Sequence, residues 1–266
     1  MVNCSFANNY AVDGGADIYL RSSSSNFLTV SNSSFRNGVV GGEGGSMLVS
    51  SREGGLTLVG VEISNATAGV QGGAISVRDD FTSYKTRIHL IDTVVDGARA
   101  GEFGGCFFLA IESAMVLDGG TVLQGCSAAH GGGIFVQPAA ALEFRDGATI
   151  RASVAERGGG LHANVGANVT GNGVIEACNS TGPGGGMVIV PDDLNGLTSG
   201  VLDFGGLSLI GNIAGTIGCV LGRKGAGCAA KRFLICMESE GEGAIINAPA
   251  STPPFVLPIC KVAALR

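Results

Sequence analysis

The sequence predicts an all-β protein, a right-handed parallel β-helix of about eight coils with three short strands each. Three observations lead to this fold class. A double glycine followed by a short apolar strand recurs about every 28 residues along the 266-residue chain. Between these copies, short segments alternate apolar and polar residues and are bounded by Gly, Asn and Ser, which is typical of strands. Amphipathic helical runs of about eleven residues without glycine are absent.

Each repeat contains a double glycine, one large apolar residue about ten positions before it, and an alternating apolar pair earlier still. The second glycines are Gly15, Gly45, Gly73, Gly105, Gly133, Gly160 and Gly186, with a degenerate copy at Gly218. The single apolar residues are Phe6, Phe35, Ile63, Val95, Leu123, Ile150, Ile175 and Leu209. Each strand is expected to bond to its counterparts in the coils above and below. The double glycine suits a corner that needs positive φ or a close backbone approach.

The repeats divide the chain into two parts. Residues 1–221 are expected to form the β-helix, and residues 222–266 a Cys- and Pro-rich cap with an extended tail. The chain starts directly in a third strand, and a coil that begins there leaves an unpaired edge. The prediction is therefore a longer parent chain, or a second subunit stacked on the first coil.

Short motifs in the first coils resemble a known group. Phe6-Ala7-Asn8-Asn9 followed by Gly14-Gly15-Ala16-Asp17-Ile18, and Ile63-Ser64-Asn65 followed by the Gly-Gly-Ala-Ile sequence at 72–75, resemble the repeats of chlamydial polymorphic outer membrane proteins. Those proteins belong to the pectin-lyase-like group of parallel β-helices. The resemblance implies the same fold and a surface-exposed, adhesin-like role.

Composition limits the possible partners, and N-glycosylation sequons indicate an extracellular or cell-surface location. Charged residues make up 14% of the chain and the net charge is −6, with no basic patch, so nucleic acid is not an expected partner. No run of 18 apolar residues occurs, so no transmembrane helix is expected. N-glycosylation sequons begin at Asn3, Asn32, Asn65, Asn168 and Asn179. The alternative explanation for these sequons is that β-helix corners favour Asn and Ser.

The eight cysteines differ in their place in the repeat. Cys106 and Cys219 take an inward position after the glycines, where a thiol packs as a small apolar group. Cys126 and Cys178 are expected at outward corners two coils apart, too far to bond to each other. The disulfide candidates lie in the cap and are Cys228, Cys236 and Cys260. Their spacing matches no metal signature, and neither a metal nor a cofactor is expected.

The strand after the glycines is expected to carry an apolar stripe on its outer face. If the first and third residues after the glycines point inward, the second and fourth point outward. The outward residues are Met47, Val49, Ile75, Val77, Phe107, Leu109, Phe135, Val188 and Val190, with polar interruptions at His162 and Asn164. Such a stripe is typical of a contact surface. Two alternatives remain, a stripe covered by loops or tail, and a register shifted by one residue.

The favoured function is a non-catalytic structural or adhesive module that presents this stripe to a protein partner or to itself. The alternative is a carbohydrate-binding or polysaccharide-degrading β-helix protein. A glycosidase needs two carboxylates roughly 5–9.5 Å apart. Asp79, Asp80 and Glu112 are the candidates, because Asp80 and Glu112 follow equivalent strands one coil apart.

Overall fold

The chain folds as a parallel β-helix in which strands of successive coils stack into four sheets. The computed structural model describes residues 1–23, 25–51, 53–78, 85–164, 166–190, 202–203 and 207–215. Within these ranges all regular structure is strand, and neighbouring strands pair in parallel. The all-β solenoid predicted from the repeat is therefore confirmed. The four sheets contain eight, eight, seven and seven described strands, so the described stack is slightly shorter than eight full coils.

Sheet I contains the strands that follow the glycines: β3 Ile18–Ser22, β7 Met47–Ser51, β11 Ile75–Val77, β15 Phe107–Leu109, β19 Ile134–Val136, β23 Leu161–Asn164 and β27 Met187–Val190. Sheet II contains β4 Phe27–Ser31, β8 Gly55–Val59, β12 Arg87–Ile91, β16 Ala114–Asp118, β20 Ala141–Phe144, β24 Asn168–Gly171 and β28 Leu202–Asp203. Sheet III contains β1 Ser5–Ala7, β5 Ser34–Arg36, β9 Glu62–Ser64, β13 Val94–Asp96, β17 Val122–Gln124, β21 Thr149–Arg151, β25 Val174–Glu176 and β29 Ser208–Ile210. Sheet IV contains β2 Tyr10–Ala11, β6 Val39–Val40, β10 Thr67–Ala68, β14 Arg99–Ala100, β18 Ser127–His130, β22 Val154–Arg157, β26 Asn179–Ser180 and β30 Ile213–Ala214.

Sheet III confirms the column of large apolar residues that the repeat predicted. Phe6 pairs with Phe35, Phe35 with Ile63, and the series continues in register to Leu209. The Phe6 and Phe35 rings stack with their centroids 4.8 Å apart. The column lies inside the solenoid and forms one core with the apolar residues of sheets I and II.

Sheet IV is the element that the repeat did not predict, because three strands per coil were expected. Six of its eight strands have only two residues, and β18 and β22 have four. A two-residue strand is too short to show an alternation in the sequence. Each coil therefore has four strands, the fourth lying between the strand of sheet III and the next double glycine.

The double glycine forms a corner that tolerates no side chain. Gly44, Gly72 and Gly104 have φ of 69°, 64° and 64°, a region that glycine adopts without steric cost. The glycine that follows lies against the backbone of the next coil. A Cβ at Gly73 would overlap the carbonyl oxygen of Gly105 and the backbone of Arg99. The first glycine of the pair is thus needed for its positive φ, and the second for the close approach to the next coil. The sequence predicted both reasons.

The inward and outward assignment of sheet I was wrong in the coils with two glycines. Met47, Val49, Ile75, Val77, Phe107 and Leu109, which the alternation placed outside, are at most 1% exposed and belong to the core. The reason is a bend between the first and second residues after the glycines. The N–H groups of Ser46 and Met47 both donate to the carbonyl of Ala74, so alternation begins only after the bend. Consecutive residues such as Cys106 and Phe107 therefore both point inward.

Coils with three glycines escape this error. Ile134 pairs with Phe107 and Phe135 with Phe108, so Gly133 takes the place of Cys106. Counting from the third glycine moves the assignment by one residue. Phe135 therefore lies outside the main core, in register with Phe108 and His162, and Val188 and Val190 continue on the same face.

The cysteine assignments are corrected by a disulfide inside the solenoid. Cys106 and Cys126 form this bond, with Cα atoms 5.6 Å apart. The prediction that Cys126 and Cys178 lie at outward corners is wrong, because both are 0% exposed and belong to the core, where Cys126 faces Cys106 across the interior. Cys178 is a buried free thiol, so the expectation that it does not pair with Cys126 is confirmed. Cys219 and the cap candidates Cys228, Cys236 and Cys260 lie outside the described residues.

Substitution of the corner glycine should destabilise the whole stack. We expect Gly73→Ala to lower the free energy of unfolding by at least about 2 kcal/mol, because backbone must move to admit the methyl group. Gly120→Ala is the matched control, since a Cβ there meets only the Asp92 carboxylate at 3.3 Å and should change stability by less than about 0.5 kcal/mol. Denaturant unfolding of both variants makes the test. Equal stability of the two would contradict the close-approach explanation.

The disulfide should be visible by peptide mapping and should contribute to stability. After cleavage on the carboxyl side of glutamates without reduction, the peptide that contains Cys106 is expected to be linked to the peptide that contains Cys126. Replacing both cysteines by Ala should cost about 3 kcal/mol, the chain-entropy value for a loop of this size, here a separation of 20 residues. Burial raises the pKa of Cys178 to about 11, so its alkylation should require unfolding. Free alkylation of Cys106 in the unreduced, unfolded protein would contradict the assignment.

Candidate functional site

A ridge of corner residues runs beside the outer face of sheet I. Gly14, Glu43, Gln71, Phe103 and His130 are joined from coil to coil by isolated parallel bridges, and we call this column the corner ridge. Each of them immediately precedes the glycine with positive φ. Because the chain turns sharply at that glycine, the ridge lies close to the outward residues of the strand that follows.

A groove lies between the corner ridge and the outer face of sheet I. In the N-terminal part of this groove, side chains of the ridge and of the sheet fill the space. Leu48 occupies the space that a Cβ on Gly14 would need. Ser76 donates to Glu43 Oε2 at 3.5 Å, and Arg78 Nε donates to the same oxygen at 3.0 Å. Leu48 and Ser76 are at most 1% exposed as a result. Among the described residues, the outer face at Leu48 and Ser76 is therefore covered.

Aromatic rings line the next part of the groove. Phe108 and Phe135 stack with centroids 5.7 Å apart, and Phe103 from the corner ridge packs on Phe135 at 4.8 Å. His162 continues the column, with its ring 4.6 Å from that of Phe135. His130 stacks on Phe103 at 5.4 Å and meets His162 edge-on, also at 5.4 Å. Three phenyl and two imidazole rings thus form one cluster outside the main core.

A recess of about 460 Å³ opens over this cluster. Its floor is aromatic and its rim carries neutral polar groups, one arginine and the exposed side chain of Ile111. The volume lies in the range of small-ligand pockets. The lining residues are Gln71, Phe103, Phe108, Ile111, His130, Phe135, Gln137, Pro138, Arg157, His162, Asn164 and Val190.

The two histidines are held neutral by their surroundings. Burial, the neighbouring His130 and Arg157 lower the pKa of His162 to about 4. Burial and Arg157 lower the pKa of His130 as well. The Nδ1 atoms of both rings are buried and have no hydrogen-bond partner within the described structure. The site therefore contains two unsatisfied imidazole nitrogens beside an apolar floor.

The structure brings together only part of the predicted stripe. Phe135 and Val190 line the recess, with the interrupting residues His162 and Asn164. Val188 pairs with His162 in the next coil, is 1% exposed and does not line the recess. Phe103, Phe108 and His130 were not predicted. In the sequence, Phe103 and His130 could have been recognised by their position directly before the glycines. Phe108 could have been recognised only with the corrected register of sheet I.

The part of the chain that the structure describes shows no pair among the candidate carboxylates. Asp79 and Asp80 lie outside those residues. Glu112 follows Ile111 in an exposed turn with φ of 59°. On sheet II, His89 pairs with Asp118 at 3.1 Å and Arg145 with Glu143 at 2.7 Å. All four side chains of that network are at least 21% exposed, as expected for a solvated strand face.

The five sequons all lie away from the recess. Asn3, Asn32 and Asn65 stand at exposed corners in the left-handed region, with φ of 54°, 47° and 52°. Asn179 is exposed at the start of β26, and Asn168 is half-buried at the start of β24. Four of the five are therefore accessible as modification sites.

Comparison with known proteins leaves this site without a described counterpart. No protein-family model matches the chain, and neither a curated protein nor a solved structure shows significant similarity to it. Within the described residues, no helix is long and apolar enough to cross a membrane. The described His, Cys, Asp and Glu residues form no group of three or more that could hold a metal ion. The class that the fold defines is the parallel β-solenoid.

The buried histidine should make the protein less stable in acid. Below pH 6.5 the unfolded chain protonates this ring, whereas folded His162, with its pKa of about 4, stays neutral. The free energy of unfolding should therefore fall between pH 7 and pH 4.5 by roughly 2 to 3 kcal/mol from this residue alone. The fall should be smaller in His162→Phe, which continues the column of Phe108 and Phe135. Denaturant unfolding at the two pH values measures it.

Comparison between variants isolates His162 from other titrating groups. Burial raises the pKa of Asp17, and its contribution has the opposite sign, because that stability is lost as the pH rises. Val39→Ala, at an exposed position of sheet IV, removes no titrating group, is the matched control and should retain the wild-type fall. An identical fall in wild type and His162→Phe would contradict the buried neutral histidine.

Proposed function

We propose that this chain is a non-catalytic extracellular or cell-surface β-helix module that binds a protein partner through the recess over Phe108 and Phe135. The observation that carries the proposal is the recess itself. It lies at the part of the sheet I face that the corner ridge leaves open, whereas Leu48 and Ser76 close the neighbouring part. The apolar stripe of the sequence hypothesis is thereby reduced to one anchoring site.

The lining of the recess suits an apolar side chain from a partner. Protein interfaces gain most of their binding energy where an anchor residue enters a desolvated pocket surrounded by a polar rim. Here the floor is formed by phenyl rings, and Gln137, Asn164 and Arg157 stand at the rim. The side chain of Gln137 is already oriented, because its Oε1 accepts the Ile111 N–H at 3.1 Å. A side chain that is already held in place lowers the entropic cost of binding.

The extracellular location is supported by two further features. A structural disulfide is typical of proteins that fold in an oxidising compartment. Four sequon asparagines are exposed, and none of the five lines the recess, so attached glycans would leave it free. The repeats of the first coils also resemble those of chlamydial polymorphic outer membrane proteins in the pectin-lyase-like group, which agrees with a surface-exposed, adhesin-like role.

Carbohydrate binding is the second candidate function. Aromatic rings next to Gln71, Gln137 and Asn164 are groups that can hold a sugar ring and its hydroxyls. The lining contains no carboxylate among the described residues, whereas a polysaccharide-cleaving site needs a pair, so the protein partner is favoured over cleavage.

Binding can be measured with side-chain probes on isotope-labelled protein. N-acetyl-phenylalaninamide should shift the amide resonances of Phe103, Ile111 and Gln137 in a saturable manner at millimolar concentration. Ile111→Asp places a charge at the mouth and should weaken binding by at least about tenfold, since an apolar contact is replaced by a group that must stay hydrated. Val39→Asp, an exposed valine on sheet IV, is the matched control and should bind as wild type does.

The same titrations distinguish the alternatives. Saturable shifts with pectin- or chitin-derived oligosaccharides, and none with the amide probe, would replace the proposal by the carbohydrate function. A dimer in light scattering that Ile111→Asp converts to a monomer would identify a second copy of the chain as the partner. Binding that persists unchanged in Ile111→Asp would remove the recess as the site.

A further inference from the structure

We propose that the recess binds the C-terminal residue of a partner protein, whose apolar side chain lies on the rings of Phe103 and Phe135 and whose α-carboxylate pairs with Arg157. The inference rests on the proposed function and names the kind of partner segment. It goes beyond that function because an apolar anchor alone makes no use of the charged group in the lining.

The first step is the charge of the recess. Among its described lining residues, Arg157 alone is charged at pH 7, because the lowered pKa values of His130 and His162 keep both rings neutral. Arg157 is exposed and has no ion-pair partner in the described part of the chain. At the covered end of the groove, by contrast, Glu43 pairs with Arg78 at 3.0 Å. The recess therefore offers an unpaired cation to an anion from outside.

The second step is the position of this cation. Arg157 extends the corner ridge by one coil, since it pairs with His130 and precedes Gly158, which has φ of 65°. Its backbone hydrogen-bonds to the ring of His162, which lies in the same coil and pairs with Phe135 of the coil before. A group bound over Phe135 is therefore about one coil spacing, roughly 4.8 Å, from the backbone of Arg157 along the axis of the solenoid. The guanidinium is within reach of such a group.

The third step is the source of the anion. In a C-terminal residue the carboxylate and the side chain are joined to the same α-carbon, so both fall within one coil spacing. In an extended internal segment the adjacent side chain points the other way, and the next one on the same side lies about 6.6 Å along the strand. Arginine binds a carboxylate through two parallel hydrogen bonds, which also fix its orientation. The α-carboxylate therefore fits the distance between Arg157 and the rings best.

Two neighbouring features bear on this pairing. The Oε1 of Gln137 accepts the Ile111 N–H, which leaves the NH2 group to donate to the main-chain carbonyl of the residue before the anchor. Glu102 and Glu156 are exposed and lie outside the lining, and their negative charges are screened by solvent. These carboxylates limit the gain from Arg157 without reversing its sign.

Other partner segments fit less well. A lysine or arginine beside the anchor would be repelled by Arg157. An amidated chain end, or an internal segment without an acidic residue, would reach the rings but leave the cation without a partner. Because Arg157 is exposed, this loss is small, and such segments should bind more weakly rather than not at all.

The test compares two probes that differ by one charge. N-acetyl-phenylalanine, which has a free carboxylate, and N-acetyl-phenylalaninamide are titrated separately into the isotope-labelled full chain at pH 7. We expect the carboxylate probe to bind roughly three- to fivefold more tightly, the effect of one exposed ion pair. In Arg157→Gln this preference should disappear while the amide probe still binds. Arg151→Gln, the same change at an exposed arginine of sheet III, is the matched control and should keep the preference.

Salt and a third probe separate the sources of the effect. Raising the salt from about 0.01 M to about 1 M shortens the Debye length from about 30 Å to about 3 Å, so most of the preference should be lost in the wild-type protein while the amide probe still binds. N-acetyl-aspartyl-phenylalaninamide carries its carboxylate on the preceding residue and should bind less tightly than N-acetyl-phenylalanine.

Each outcome has a separate meaning. Equal binding of the first two probes, or a preference that persists in Arg157→Gln or at high salt, overturns the inference and leaves the proposed recess function intact. If the aspartyl probe binds as tightly as N-acetyl-phenylalanine or more tightly, the partner segment is internal and acidic, and the chain-end assignment is wrong. Absence of binding by all three probes overturns both the inference and the proposed function.

Discussion

The close approach of successive coils at the glycine corner is the constraint on which the rest of this structure depends. At Gly45, Gly73 and Gly105 the carbonyl oxygen of the next coil lies where a Cβ would stand. This contact lets each coil stack directly on its neighbour, so that all four sheets keep the same spacing. The apolar columns of sheets I, II and III then meet in one continuous core. A side chain at any of these corners would separate all four ladders, since the coils share one axis.

The same corner also creates the recess over Phe108 and Phe135. Positive φ at one glycine of the corner turns the chain so that the residue before this glycine lies beside the outer face of sheet I. When that residue is Glu43 or Gly14, the groove closes over an ion pair or over Leu48. When it is Phe103 or His130, a recess remains. Variation at one position of the repeat therefore decides where the rod is closed and where it is open.

The interior and the recess use the same kinds of residue under different physical demands. Inside the coil, the Cys106–Cys126 bond and the apolar columns form the core, in which the buried Oγ of Ser46 also has no hydrogen-bond partner. In the recess, His162 is as deeply buried as Phe135 and His130 is partly buried, and the Nδ1 atoms of both rings have no hydrogen-bond partner. Such groups reduce the stability of the isolated protein.

The sequence by itself determined the solenoid, its repeat and the register of the sheet III column from Phe6 to Leu209, because periodic glycines and apolar residues need only be counted. It did not determine which residues of sheet I face outward. The bend at Ser46 and Met47 adds one inward residue before the alternation begins, and a third glycine at Gly133 moves the count again. The pairing of Cys106 with Cys126 likewise needed the path of the chain around one coil, which brings residues 20 positions apart face to face across its interior. Only the tertiary structure brought the corner ridge beside the strand face, since the two columns of the recess are separated in each repeat by a turn whose direction is set by backbone conformation.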